Sequence, residues 1–85
     1  MSDVTQAFEA AAQRVQALDA RPDNDTLLRL YALYKQGSEG DVRGPKPGFF
    51  DFVGTAKYEA WATLSGTDRT AAMQQYIALV DTLAG

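Results

Sequence analysis

Apolar side chains in this sequence recur at spacings of three and four residues, in four separate stretches, and nothing reads as a strand. That periodicity points to an all-α fold. In the first stretch Val4, Phe8, Ala11, Val15 and Leu18 form one stripe, so a helix is expected over about residues 4–18. Asp3 stands where a cap would, with Gln6 three residues on. Pro22 with Asp23, Asn24 and Asp25 ends that helix and opens a second, expected from Asp25 to Ser38. Its apolar arc is Leu27, Leu30, Tyr31, Leu33 and Tyr34; Arg29 and Gln36 project to the opposite, wet side. From Gly37 to Phe52 the glycines and prolines cannot sustain a helix. A loop of roughly 15 residues is long for a small domain, and such loops tend to be functional. Phe49, Phe50 and Phe52 suggest that its far end is pinned to the core. A third helix is expected from Val53 to Leu64, stopping at Ser65-Gly66. Thr67 then caps a fourth, from Asp68 to Leu83, with the stripe Met73, Tyr76, Ile77, Val80 and Ala84. A chain of 85 residues holds one domain and one core, so the reading is a single four-helix bundle over 1–85.

The composition excludes several functions. There is no cysteine and no histidine. A disulfide framework and a thiolate zinc site are therefore out, and so are the commonest general base and metal ligand. No catalytic residue and no metal site is expected. An enzyme, such as a thioesterase, would need an unusual base to activate a Ser or Thr. Asp51 and Glu59 read better as a helix cap and a solvated charge than as a catalytic pair. A net charge of −3 argues against nucleic-acid binding, which calls for a basic surface. It leaves room for an anionic small ligand, because salt screens charges beyond ~8–10 Å. No segment reaches the ~18 apolar residues of a membrane span, and the start lacks a basic region followed by an apolar run. A cytoplasmic monomer without stable membrane insertion is the expectation.

The residues that suggest chemistry lie on the second and third helices. Tyr31, Tyr34 and Lys35 share one helical face. An aromatic plane can stack on a base, and phenol hydroxyls with an ammonium can hold a phosphate. Lys57 sits likewise among Val53, Ala60, Trp61 and Leu64. The plain alternative is core tyrosines and lysines that snorkel. Phe8, Ala12 and Val15 could line a groove or simply fill the core, and Tyr76 is a lone phenol on an apolar stripe. The glycines around 40–48 match neither phosphate-loop spacing, and Pro45 removes an amide donor.

With these residues assembled, the chain resembles the acyl-CoA-binding protein family from Phe8 to about Leu83. The resemblance rests on Tyr31-Ala-Leu-Tyr-Lys-Gln36 with Gly40-Asp41, on Pro47-Gly48 and Asp51, on Gly54-Thr-Ala-Lys-Tyr-Glu-Ala-Trp61, and on Ala72-Met73 with Tyr76-Ile77. It implies an up-down-down-up bundle holding a fatty acyl-CoA, with no cofactor and no reaction. By the matching positions, adenine stacks on Tyr34. Tyr31, Lys35 and Lys57 hold the 3′-phosphate. Phe8, Ala12, Val15, Leu27 and Leu28 lie near the acyl chain, and Tyr76 reaches the thioester. The resemblance has departures. Thr55 and Gln16 stand where basic residues are frequent, Tyr58 where tryptophan is usual, and Gly37 where alanine is common. Gly37 is expected to let the second helix end or bend early. The rival reading is a helical protein-interaction module without a ligand.

Overall fold

The computed structural model describes residues 3–85. They form four helices: α1 Asp3–Gln16, α2 Asn24–Glu39, α3 Phe52–Ala62 and α4 Arg69–Ala84. Three starts are fixed by an aspartate that accepts from the amide three residues on. Asp23 takes Thr26 N–H at 2.8 Å, Asp51 takes Gly54 N–H at 2.8 Å, and Asp68 takes Ala71 N–H at 3.2 Å. The cap of α4 is therefore Asp68 and not Thr67, one residue later than expected. Asp3 is itself helical, so its carboxylate serves the first turn of α1, where the helix dipole favours negative charge.

α1 packs on α4, α4 on α2, and α2 on α3. Side-chain bonds give the directions. Arg14 and Asp81, both near helix C-termini, pair at 2.6 Å, so α1 and α4 run parallel. Arg69 at the start of α4 donates to the carbonyls of Gly37 and Ser38 at the end of α2, so that pair is antiparallel. Trp61 late in α3 donates to Gly40 O at 2.8 Å, just past the end of α2, so α2 and α3 run parallel. The order is up, down, down, up. Parallel neighbours cannot be joined by a short turn, which is why the connection from 40 to 51 is long.

The core is Phe8, Ala11, Leu30, Leu33, Ala72, Met73, Tyr76 and Val80, drawn from α1, α2 and α4. Gly37 does not end α2 early, because the helix runs on to Glu39. Its role is close packing: a Cβ there would lie 3.1 Å from both Phe8 Cζ and Met73 Cγ. Gln36, expected in water, is fully buried. α2 is covered by α3, by α4 and by the connection after it, so a residue opposite the main apolar arc is enclosed too. The Gln36 amide donates to Asp41 Oδ1 at 2.9 Å and Thr67 O at 2.8 Å. Asp41 also accepts Gly66 N–H at 2.8 Å. That bond first, and Gln36 second, hold its carboxyl below the usual range.

The loop phenylalanines are not pinned to the core. Phe49 and Phe50 are 83% and 82% exposed, and Phe52 stands out with them. Other groups anchor this connection. Trp61 holds Gly40, the Tyr58 hydroxyl donates to Gly44 O at 2.9 Å, and Lys46 pairs with Glu59. With those tethers in place the aromatic rings have no structural task.

Candidate functional site

Two open hollows meet at Tyr31. The first, about 380 Å³, lies between α1, α2 and α4 and is lined by Ala12, Val15, Gln16, Leu30, Tyr31, Tyr34 and Tyr76. Its floor is an aromatic cluster. The Phe8 ring stacks on Tyr34 at 5.3 Å between centroids and meets Tyr76 edge-on at 5.2 Å. Phe8 itself is buried, so it props the two phenols from behind instead of lining the hollow. Tyr34 keeps 43% of its surface open, which leaves a ring available for stacking. Burial first, and the neighbouring Tyr34 second, raise the Tyr76 pKa, so this phenol keeps its proton and remains a donor at neutral pH.

The second hollow, about 400 Å³, lies between the N-terminal halves of α2 and α3. Leu27, Leu28, Phe52, Val53 and Ala56 make it largely apolar, with Arg21, Asn24, Tyr31 and Lys57 completing it. Its lining comes from the starts of both helices, which parallel packing of α2 and α3 brings to the same end. The Lys57 ammonium lies 5.3 Å from the Tyr31 ring centroid, a cation–π distance. Among the described residues it has no carboxylate partner.

Of the three residues that share one face of α2, Tyr31 and Tyr34 come together at the first hollow and Lys35 does not join them. Tyr34 leans to α1 and α4, Tyr31 stands on the wall shared by both hollows, and Lys35 lines neither. The Lys35 ammonium sits 4.9 Å from the Trp61 ring centroid and pairs with Glu39, which also binds Arg43 at 3.1 Å. The hydrogen bond from Lys35 is the main cause that holds the Glu39 carboxyl below its usual range. Of the two departures that reduce positive charge, Gln16 borders the first hollow. Thr55 faces a different one, beside Lys46, Phe49 and Glu59.

Arg21, Asn24, Phe52, Val53 and Ala56 escaped the sequence reading as site residues. Part of the signal was present: Val53, Ala56 and Lys57 fall at helical spacing on one face of α3. Arg21 and Asn24 precede or open α2, where no periodicity marks a lining residue.

Residues 5–80 match the model of the family described as acyl-CoA-binding protein. The chain belongs to that family. A Drosophila melanogaster protein named acyl-CoA-binding protein homolog is 48% identical over 80 residues, 94% of this chain and 93% of that one. The crystal structure of Oryza sativa acyl-CoA-binding protein 2 superposes with a TM-score of 0.90 at 34% identity, over 94% of this chain and 89% of that chain. A Rattus norvegicus protein named enoyl-CoA delta isomerase 2 is 46% identical over 84 residues. This chain spans 99% of itself in that match but only 22% of the rat protein, so the likeness covers one part of a longer molecule. Among the described residues no helix is long and apolar enough to cross a membrane.

Proposed function

We propose that this chain binds medium- to long-chain fatty acyl-CoA esters reversibly, and buffers and carries them, as a cytoplasmic monomer, without chemical change. The observation that carries the reading is the pair of unlike hollows sharing one wall. One offers phenols and an open aromatic face. The other offers an apolar trough. Tyr31 and the unpaired Lys57 stand where they meet. A coenzyme A head with an attached alkyl tail has that same division. In this reading adenine stacks on Tyr34. The Tyr76 hydroxyl donates near the thioester carbonyl, with Ala12 and Val15 beside the first carbons of the tail. Leu27 and Leu28 receive the rest. Lys57 and the Tyr31 hydroxyl bind the 3′-phosphate. Lys35 joins them only by leaving Glu39.

Titration calorimetry with palmitoyl-CoA tests this, using wild type and two variants. Wild type should saturate at one ligand per chain. Lys57→Ala should lose ~1.5–3 kcal/mol, the worth of a charge-assisted bond to phosphate. Glu39→Gln should gain up to about tenfold in affinity at low salt, or ~1.4 kcal/mol, because the Lys35 ammonium is then free to turn. Absence of saturable binding by wild type would sink the function. Unchanged affinity in Glu39→Gln would remove Lys35 from the clamp and leave the function standing.

A further inference from the structure

Three phenylalanines and a valine stand in water at the start of α3, and two of them border the apolar hollow. Phe49, Phe50, Phe52 and Val53 are each more than two-thirds exposed. Phe52 and Val53 also line the hollow that holds Leu27 and Leu28. We propose that this tip is a docking surface for the interface of a phospholipid bilayer containing anionic lipid, which it enters by its aromatic side chains.

Contiguous exposed apolar side chains mark an interaction site, and the partner's nature follows from shape, charge and chemistry. The four side chains protrude from one helix end. At aromatic areas of ~150–250 Å² each they offer roughly 500 Å², short of the ~800 Å² per partner of a standard protein interface. A deformable phase can surround such a tip, whereas a rigid surface cannot. The backbone is suited to entering it. The Asp51 amide donates to Gly48 O at 3.0 Å and the Asp51 carboxylate caps Gly54 N–H, so two polar amides at the tip are already satisfied. Cations are within reach of a headgroup. Arg43, Lys46 and Lys57 flank the tip, with Asp41, Asp51 and Glu59 beside them, in a chain whose net charge is −3. Lys46 is held by an exposed ion pair with Glu59, and Arg43 by an exposed pair with Glu39 and a bond to the Glu39 carbonyl at 3.2 Å; such exposed pairs exchange readily for headgroup phosphates. The patch and the hollow share two residues, so docking would bring the mouth of the hollow to the acyl-chain region. That use rests on the acyl-CoA reading; the docking does not.

The test is flotation of ligand-free protein with vesicles of equal parts phosphatidylcholine and phosphatidylserine, and with phosphatidylcholine alone. Wild type should float with the mixed vesicles, less so as salt rises, and more weakly with the neutral ones. The double variant Phe49→Ser, Phe50→Ser removes two rings that line neither half of the ligand site. It should partition roughly a hundredfold less, from the loss of two buried aromatic side chains. Its affinity for palmitoyl-CoA in vesicle-free solution should match wild type. Wild type that stays in solution with both vesicle types overturns the proposal, as does a double variant that floats equally well. A concentration-dependent dimer abolished by the double variant, without flotation of wild type, would assign the patch to a second copy and overturn it too. Because flotation uses no ligand, its outcome is independent of whether acyl-CoA binds.

Discussion

Palmitoyl-CoA is expected to bind at least four orders of magnitude more tightly than free coenzyme A, and free palmitate scarcely at all. The tail supplies the first difference. At ~0.8 kcal/mol per buried CH₂, a palmitoyl chain has a ceiling of about 12 kcal/mol. Half of that ceiling is still more than a ten-thousandfold effect, since ~1.4 kcal/mol is a factor of ten. The open shape of the trough supplies the second. Leu27 and Leu28 line a hollow open to solvent, so a tail lying there keeps one side wet unless something covers it. The nucleotide head, fixed at Tyr31, Tyr34 and Lys57, would be that cover. Palmitate brings no head, and its carboxylate loses hydration beside Tyr76 without a cation to meet it. Calorimetry with the three ligands reads these terms separately. Equal affinities for palmitate and palmitoyl-CoA would show that the phenol-bearing hollow contributes nothing to recognition.

Trp61→Ala is expected to cost ~3–5 kcal/mol of stability, the range for deleting a buried large aromatic. Against a total of ~5–15 kcal/mol for a small domain, that loss approaches unfolding. Three supports fail at once. The indole fills the space between α2, α3 and the connection, and it is 7% exposed. Its N–H is the donor to Gly40 O, where the connection departs from α2. Its face carries the Lys35 ammonium. Trp61→Phe keeps most of the apolar area and loses the hydrogen bond, so it should cost only ~0.5–1.5 kcal/mol. Urea melts followed by far-ultraviolet circular dichroism would compare them. A Trp61→Ala protein within ~1 kcal/mol of wild type would mean that α3 is held by something other than this side chain.

The helices were legible because their stripes are. Phe8, Leu30, Leu33, Met73, Tyr76 and Val80 sit on the faces that the spacing assigns, and all are buried. Gln36 failed for a reason a helical projection cannot contain. A projection gives one inner and one outer face, but α2 has neighbours on several sides. An amide can be buried cheaply where Asp41 and Thr67 supply acceptors. Phe49 and Phe50 failed the other way, because apolar character was read as burial. Lys35 and Lys57 looked alike in sequence, each a cation in an apolar arc. Glu39, one helical turn beyond Lys35, makes them different, since one ammonium is paired with a carboxylate and the other meets only a ring face. Tyr31 stands out in the sequence by its helical face, yet its position on a wall between two hollows depends on α3 lying parallel to α2, which no local pattern encodes.

That parallel placement has a dynamic consequence. The main core draws on α1, α2 and α4 and includes no residue of α3, whose chief packing is on α2. α3 is therefore the helix that should open alone, below the free energy of global unfolding. Its backbone amides should exchange with deuterium well before those of α4 in the free protein. A hydrocarbon chain seated between Leu27, Leu28, Val53 and Ala56 would give α3 the second packing surface that the fold withholds. Bound palmitoyl-CoA should then slow exchange in α3 far more than elsewhere, so the cargo completes the core of its own carrier.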